Sequence, residues 1–145
     1  TGRSIPNIMN YQVHIDKESM YNTPPVFAIY TSLLTMQWIK NSGGIAAMEK
    51  LNEEKATLLY NEIDRNSLFS GTANPADRSF MNATFVLNDE TLTSSFDELW
   101  KAAGISGLTG HRSVGGYRAS MYNALPLESV QALVEVMQAL EQSQQ

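Results

Sequence analysis

The sequence predicts a small α/β domain: long helices, then a mostly antiparallel sheet with helices packed on one face. Three observations carry that prediction. The elements read in the order helix, helix, strand, helix, strand, strand, helix. The chain has 145 residues, one domain's worth, and 43 % of them are hydrophobic against 17 % charged, a globular balance that excludes a disordered tail or a collagen-like polymer. A chain of this length buries about 70 % of its unfolded surface without a covalent staple. There are no cysteines, which excludes a disulfide scaffold, a thiolate metal site and a cysteine nucleophile, and suits a reducing, cytoplasmic location.

Residues 1–25 read as irregular or extended as far as Tyr21-Asn22-Thr23-Pro24-Pro25, where threonine followed by proline signals a helix start. From Val26 to Lys40 the spacing predicts a helix. Its apolar residues Phe27, Ile29, Tyr30, Leu33, Leu34, Met36, Trp38 and Ile39 cover most of the circumference, which implies burial on several sides. Asn41-Ser42-Gly43-Gly44 stops it and makes a corner. From Ile45 to Asp64 the residues Ile45, Met48, Leu51, Leu58, Leu59 and Ile63 mark a second helix, with Glu49, Lys50, Glu53, Glu54 and Lys55 as its solvated face.

Ser70 to Arg78 reads as a loop. Met81, Ala83, Phe85 and Leu87 then alternate with polar residues and Val86 as a half-buried strand. Leu92, Phe96, Leu99 and Trp100 predict an amphipathic helix ending at Gly104, on which Asp97 and Glu98 belong to a solvated face. Ile105 to Thr109 and Tyr117 to Asn123 read as short strands around a glycine-rich turn. Pro126 starts the last helix, with Leu127, Val130, Leu133, Val134, Met137 and Leu140 as its apolar stripe.

Fifteen acids against ten bases give a net charge of -5, so no general grip on nucleic acid or an anionic membrane is expected. No signal peptide or spanning helix is read either, because the N-terminus lacks an apolar core and the longest apolar stretch is interrupted by Thr, Ser and Gln. A zinc role for His14 is not expected, since no second histidine lies at ligand spacing, and no metal site is read.

The local charge of residues 104–124 opposes that of the chain: they contain no Asp or Glu but hold His111, Arg112 and Arg118. Guanidinium forks match carboxylate or phosphate, and glycines let the backbone approach a ligand, so the segment points to anion recognition. The alternative is a hairpin with surface arginines. Asn22 and Thr23 are a second candidate, an amide and a hydroxyl just ahead of a helix, where phosphates bind. Here the alternative is that Thr23 merely caps the helix.

Tyr21-Asn22-Thr23-Pro24-Pro25-Val26-Phe27-Ala28-Ile29-Tyr30, Gly43-Gly44 with Ala47-Met48-Glu49-Lys50-Leu51, Gly110-His111-Arg112-Ser113-Val114-Gly115-Gly116, and Arg118-Ala119-Ser120 with Tyr122-Asn123-Ala124 closely resemble the phosphoserine aminotransferases. The resemblance covers nearly all of the chain. It implies a pyridoxal-phosphate-dependent homodimer of the aspartate-aminotransferase type, fold type I, with active sites shared between subunits. The reaction implied moves an amino group from glutamate to 3-phosphohydroxypyruvate in serine biosynthesis, and in some bacteria members also serve pyridoxine biosynthesis. It further implies that Asn22 and Thr23 bind the cofactor phosphate of the partner subunit, that His111 and Arg112 reach across the dimer to the distal phosphate or carboxylate of the substrate, and that Arg118 holds its α-carboxylate.

None of Lys17, Lys40, Lys50, Lys55 or Lys101 matches the family's Schiff-base lysine, so no catalytic residue is expected here. By resemblance the chain is a C-terminal part, inactive alone, with the end of the cofactor domain and the connecting helix in residues 1–40 and the small α/β domain in 41–145. The rival reading is a stand-alone anion- or amino-acid-binding regulatory module that uses Arg112 and Arg118.

Overall fold

The computed structural model describes residues 2–111 and 115–144. Two compact units divide the chain, Thr1–Ser42 and Gly43–Gln145.

In the first unit a 3-10 turn at Asn7–Met9 leads into helix α1, Tyr11–Asp16. The sequence reading has this stretch irregular or extended. One and a half turns are too few for a periodic signal, and the helix is set by its cap, the Asn10 side chain accepting from the Gln12 amide at 3.0 Å. His14 Nε2 donates to the Ile8 carbonyl at 2.8 Å and meets the Tyr21 ring edge-on, so it serves the local packing. Helix α2 runs Val26–Asn41, starting later than the threonine-proline signal suggests. A residue before proline is pushed out of the helical region, which disqualifies Pro24 and leaves Pro25 as the N-cap. The hydroxyls of Thr31, Ser32 and Thr35 donate back to carbonyls one turn earlier, leaving the helix surface apolar. None of its residues is buried, and Phe27 stands 84 % exposed, the surface expected of a helix made to pack against another partner.

In the second unit helix α3, Gly44–Arg65, precedes strands β1, Phe69–Gly71, and β2, Asn82–Leu87. Helix α4, Thr93–Ala102, strand β3, Tyr117–Ser120, and helix α5, Leu127–Gln142, complete it. The sheet order is β1-β2-β3 and both pairings are antiparallel. Phe69, Ala83, Phe85, Leu87, Tyr117 and Ala119 form its buried face, packed on Leu59 and Ile63 of α3, Phe96 and Trp100 of α4, and Met137 and Leu140 of α5. All three helices therefore share one face, as the fold class requires, and the other face carries no helix of this unit.

Three strand expectations change, one being that the strand read over residues 117–123 ends at Ser120. Phe69–Gly71 lies partly in the predicted loop, because three residues ending in glycine show no alternation. Residues 105–109, read as a strand, contribute one bridge, Thr109 to Tyr117, and the Leu108 carbonyl that accepts from the Arg118 amide at 2.7 Å. Gly104 and Gly107 hold them out of extended pairing with left-handed φ angles of +75° and +72°.

Glu62 of α3, only 4 % exposed, joins the helices by accepting from Arg65, Asn66 and Gln138. Burial pushes its carboxyl pKa up, but these hydrogen bonds outweigh burial and hold it below the ordinary glutamate value. A depressed folded value means the stabilisation is present at neutral pH and is lost as pH falls through that value. Glu62→Gln is expected to cost about 2 kcal/mol at pH 7, with the gap to the parent closing below about pH 4. Chemical denaturation across that range checks it, and a gap independent of pH would contradict it.

Candidate functional site

The two described ends of the glycine-rich segment are tied together at a neck. The Gly110 amide donates to the Gly116 carbonyl at 2.8 Å, and inside it the Gly115 amide donates to the His111 carbonyl at 2.8 Å. Both neck glycines are sterically required. A Cβ on Gly110 would collide with the Gly115 carbonyl oxygen, and one on Gly116, whose φ is +64°, would lie 2.7 Å from the Phe85 carbonyl oxygen. His111 is exposed beside this neck. Arg112 lies outside the described residues.

Arg118 follows the neck on β3, where strand alternation sends Tyr117 and Ala119 into the core and Arg118 to the open face. It pairs across the sheet with Thr84, and polar side chains surround that position: Thr84 bonds Thr72, and Ser120 donates to Asn82 at 3.0 Å. Among the described residues no acceptor lies within hydrogen-bonding distance of the Arg118 guanidinium. Arg118 also lines a cleft of about 330 Å³ together with Gly107, Ser120, Leu125 and Ser129. A cation without a local acid, on a face of hydroxyls and amides, suits a carboxylate ligand.

Two side chains that sequence reasoning assigned to solvated faces instead support this region. Asp97 accepts from Trp100 Nε1 at 3.0 Å, from the Tyr117 hydroxyl at 3.0 Å and from Lys101 at 3.3 Å. Burial raises its pKa, but the three donors outweigh that and leave it below the ordinary aspartate value, while burial and Asp97 together push the Tyr117 phenol up. Lys55, the other, is fully buried. The one signal in the sequence for Asp97 is its spacing from Trp100 and Lys101, within one helical turn.

Asn22 and Thr23 sit in the first unit, exposed ahead of α2. No side chain caps that helix, which removes capping as the reason for Thr23, and neither residue's side chain makes a hydrogen bond to the described residues. The amide and hydroxyl are therefore available to a phosphate. Among the described residues no three His, Cys, Asp or Glu side chains come together as metal ligands. No described helix is long and apolar enough to cross a membrane.

Residues 3–133 match the family of class-V aminotransferases. The phosphoserine aminotransferase of Flavobacterium psychrophilum is 71 % identical over 141 residues, which cover 97 % of this chain and 40 % of that protein. That of Porphyromonas gingivalis is 54 % identical, covering 96 % of this chain and 39 % of that protein. Among solved structures, phosphoserine aminotransferase from Bacillus circulans subsp. alkalophilus superposes with a TM-score of 0.86 at 40 % identity, over 97 % of this chain and 39 % of that one. A pyridoxal-phosphate-bound phosphoserine aminotransferase from Trichomonas vaginalis gives 0.79 at 41 % identity, over 92 % and 39 %. This chain thus spans about 40 % of the length of the curated relatives it matches.

Proposed function

The chain belongs to the class-V aminotransferase family, and from that membership we propose that the complete protein is a phosphoserine aminotransferase. It transfers an amino group between glutamate and 3-phosphohydroxypyruvate, giving phosphoserine and 2-oxoglutarate. The observation that carries this is the 71 % identity to a curated phosphoserine aminotransferase over 97 % of the chain. The stand-alone regulatory module is not favoured, because the relatives matched over nearly the whole chain carry the enzyme's name.

In this reading pyridoxal phosphate, when bound, supplies the electron sink for amino transfer. Asn22 and Thr23 fit its phosphate, since both are exposed ahead of α2 with no hydrogen bond to the described residues. By resemblance none of the five lysines matches the cofactor lysine, and three of them are engaged elsewhere. Lys55 is buried against backbone carbonyls, and Lys50 and Lys101 pair with Glu54 and Asp97. The cofactor lysine is thus read as lying on another part of the protein.

The work of this chain is to hold anions. Arg118 takes the α-carboxylate common to both substrates, as a forked pair. His111 and Arg112 take the distal phosphate or carboxylate, across a homodimer with shared sites, in the cytoplasm. Fixing both anionic ends orients the reacting carbon between them.

The test is an assay of the complete enzyme with 3-phosphohydroxypyruvate as acceptor. Formation of phosphoserine that depends on glutamate is expected, and its absence in cofactor-loaded enzyme would overturn the proposal. Loss of the Asn22 and Thr23 side chains together is expected to weaken cofactor retention about tenfold. Absorbance of bound pyridoxal phosphate during dialysis checks this, and parent-like retention would contradict it.

A further inference from the structure

Lys55 lies on α3 in a run of charged residues that reads as a water-facing stripe, yet it is completely buried. Among the described residues no acid forms an ion pair with it. Its Nζ donates to three backbone carbonyls, Met121 at 3.1 Å, Tyr122 at 2.8 Å and Leu125 at 3.1 Å. An ammonium has three protons to donate, so all three are used. One turn earlier on the same helix, Asn52 Nδ2 donates to Asn123 Oδ1 at 2.8 Å. Two α3 side chains thus grip one short segment, 121–125, which includes the Tyr122-Asn123-Ala124 motif that no binding role absorbs.

The segment matters for its position. It begins where β3 ends, and the Met121 amide still donates to the Met81 carbonyl, so it anchors the end of the strand that carries Arg118. Its Leu125 also forms part of the wall of the cleft that Arg118 lines. Because the Arg118 guanidinium bonds to no described residue, the β3 backbone sets where that side chain starts. The upstream end of β3 is fixed by the Arg118 amide on Leu108 and the Tyr117 hydroxyl on Asp97. Lys55 fixes the downstream end. Of these carbonyls that of Tyr122 also accepts from the Leu125 amide at 2.9 Å, and a single buried cation joins all three.

We infer that Lys55 is a positioning residue: a built-in cation seated among the Met121, Tyr122 and Leu125 carbonyls that holds β3, and with it Arg118, in register for the substrate carboxylate. This rests on the role given to Arg118 above.

The experiment compares Lys55→Met, Lys55→Gln and Arg118→Ala with the parent in the complete enzyme. The glutamine keeps two donors and serves as the milder change. Hydrogen exchange at the Met121 and Leu125 amides is measured without substrate, and KM and kcat with 3-phosphohydroxypyruvate. Exchange at both amides at least about tenfold faster is expected, with KM raised about tenfold and kcat changed less. Parent-like exchange in both Lys55 variants would overturn the inference. So would faster exchange with unchanged KM, if Arg118→Ala raises KM. Unchanged KM in Arg118→Ala would instead remove the carboxylate role of Arg118, and the claim for Lys55 would fall with it.

Discussion

Gly110→Ala is expected to destabilise the second unit by about 3 kcal/mol and to lower kcat/KM of the complete enzyme about a hundredfold. The new methyl has no room. It would meet the carbonyl oxygen of Gly115 and lie 2.8 Å from that of Gly116, the acceptor of the hydrogen bond that closes the neck. Backbone cannot swing away as a flexible side chain does, so the neck must open and the adjoining His111 must shift. Gly115→Ala is the control. Its φ of +75° carries the left-handed penalty of about 1 kcal/mol, but among the described residues nothing lies within 4 Å of the added carbon. Thermal unfolding of the two variants should rank them in that order. Equal melting of Gly110→Ala and the parent would contradict the steric account.

Phe96→Ala is expected to cost about 3–5 kcal/mol, the range for removing a buried aromatic ring. The ring is fully buried and ties α4 to every strand, with edge contacts to Phe69 on β1 at 5.1 Å, Phe85 on β2 at 6.4 Å and Tyr117 on β3 at 4.9 Å. Its loss leaves a cavity beneath the strand that presents Arg118, so substrate binding should weaken together with stability. Phe80, 47 % exposed, is the comparison, with a loss within about 0.5 kcal/mol. Denaturant midpoints with unchanged slopes check both. A Phe96→Ala loss below about 1 kcal/mol would mean that the core does not depend on this ring.

Long periodic elements were legible in the sequence and short or capped ones were not. Helices α2, α3 and α5 and strand β2 repeat their apolar spacing often enough to outweigh local propensity. Helix α1 and strand β1 have no such repetition: Asn10 makes one, and pairing with β2 makes the other. Residues 105–109 are read as a strand but are diverted by Gly104 and Gly107.

The candidate site residues were read from two physical features, the reversed charge of residues 104–124 and the amide and hydroxyl of Asn22 and Thr23 ahead of a helix. The same reasoning fails at Lys55 and Asp97, because a charged residue in a polar run is read as solvated unless its buried partners are known. For Lys55 those partners are carbonyls about seventy positions away, invisible to any local pattern.

The central claim, that the cationic segment of this chain grasps the substrate anions, is tested most directly by kcat/KM of an Arg118→Ala enzyme measured with glutamate and with 3-phosphohydroxypyruvate. Both substrates carry the carboxylate assigned to Arg118, so both values are expected to fall about a hundredfold, at parent-like stability and cofactor content. Values within about twofold of the parent for either substrate would contradict the account.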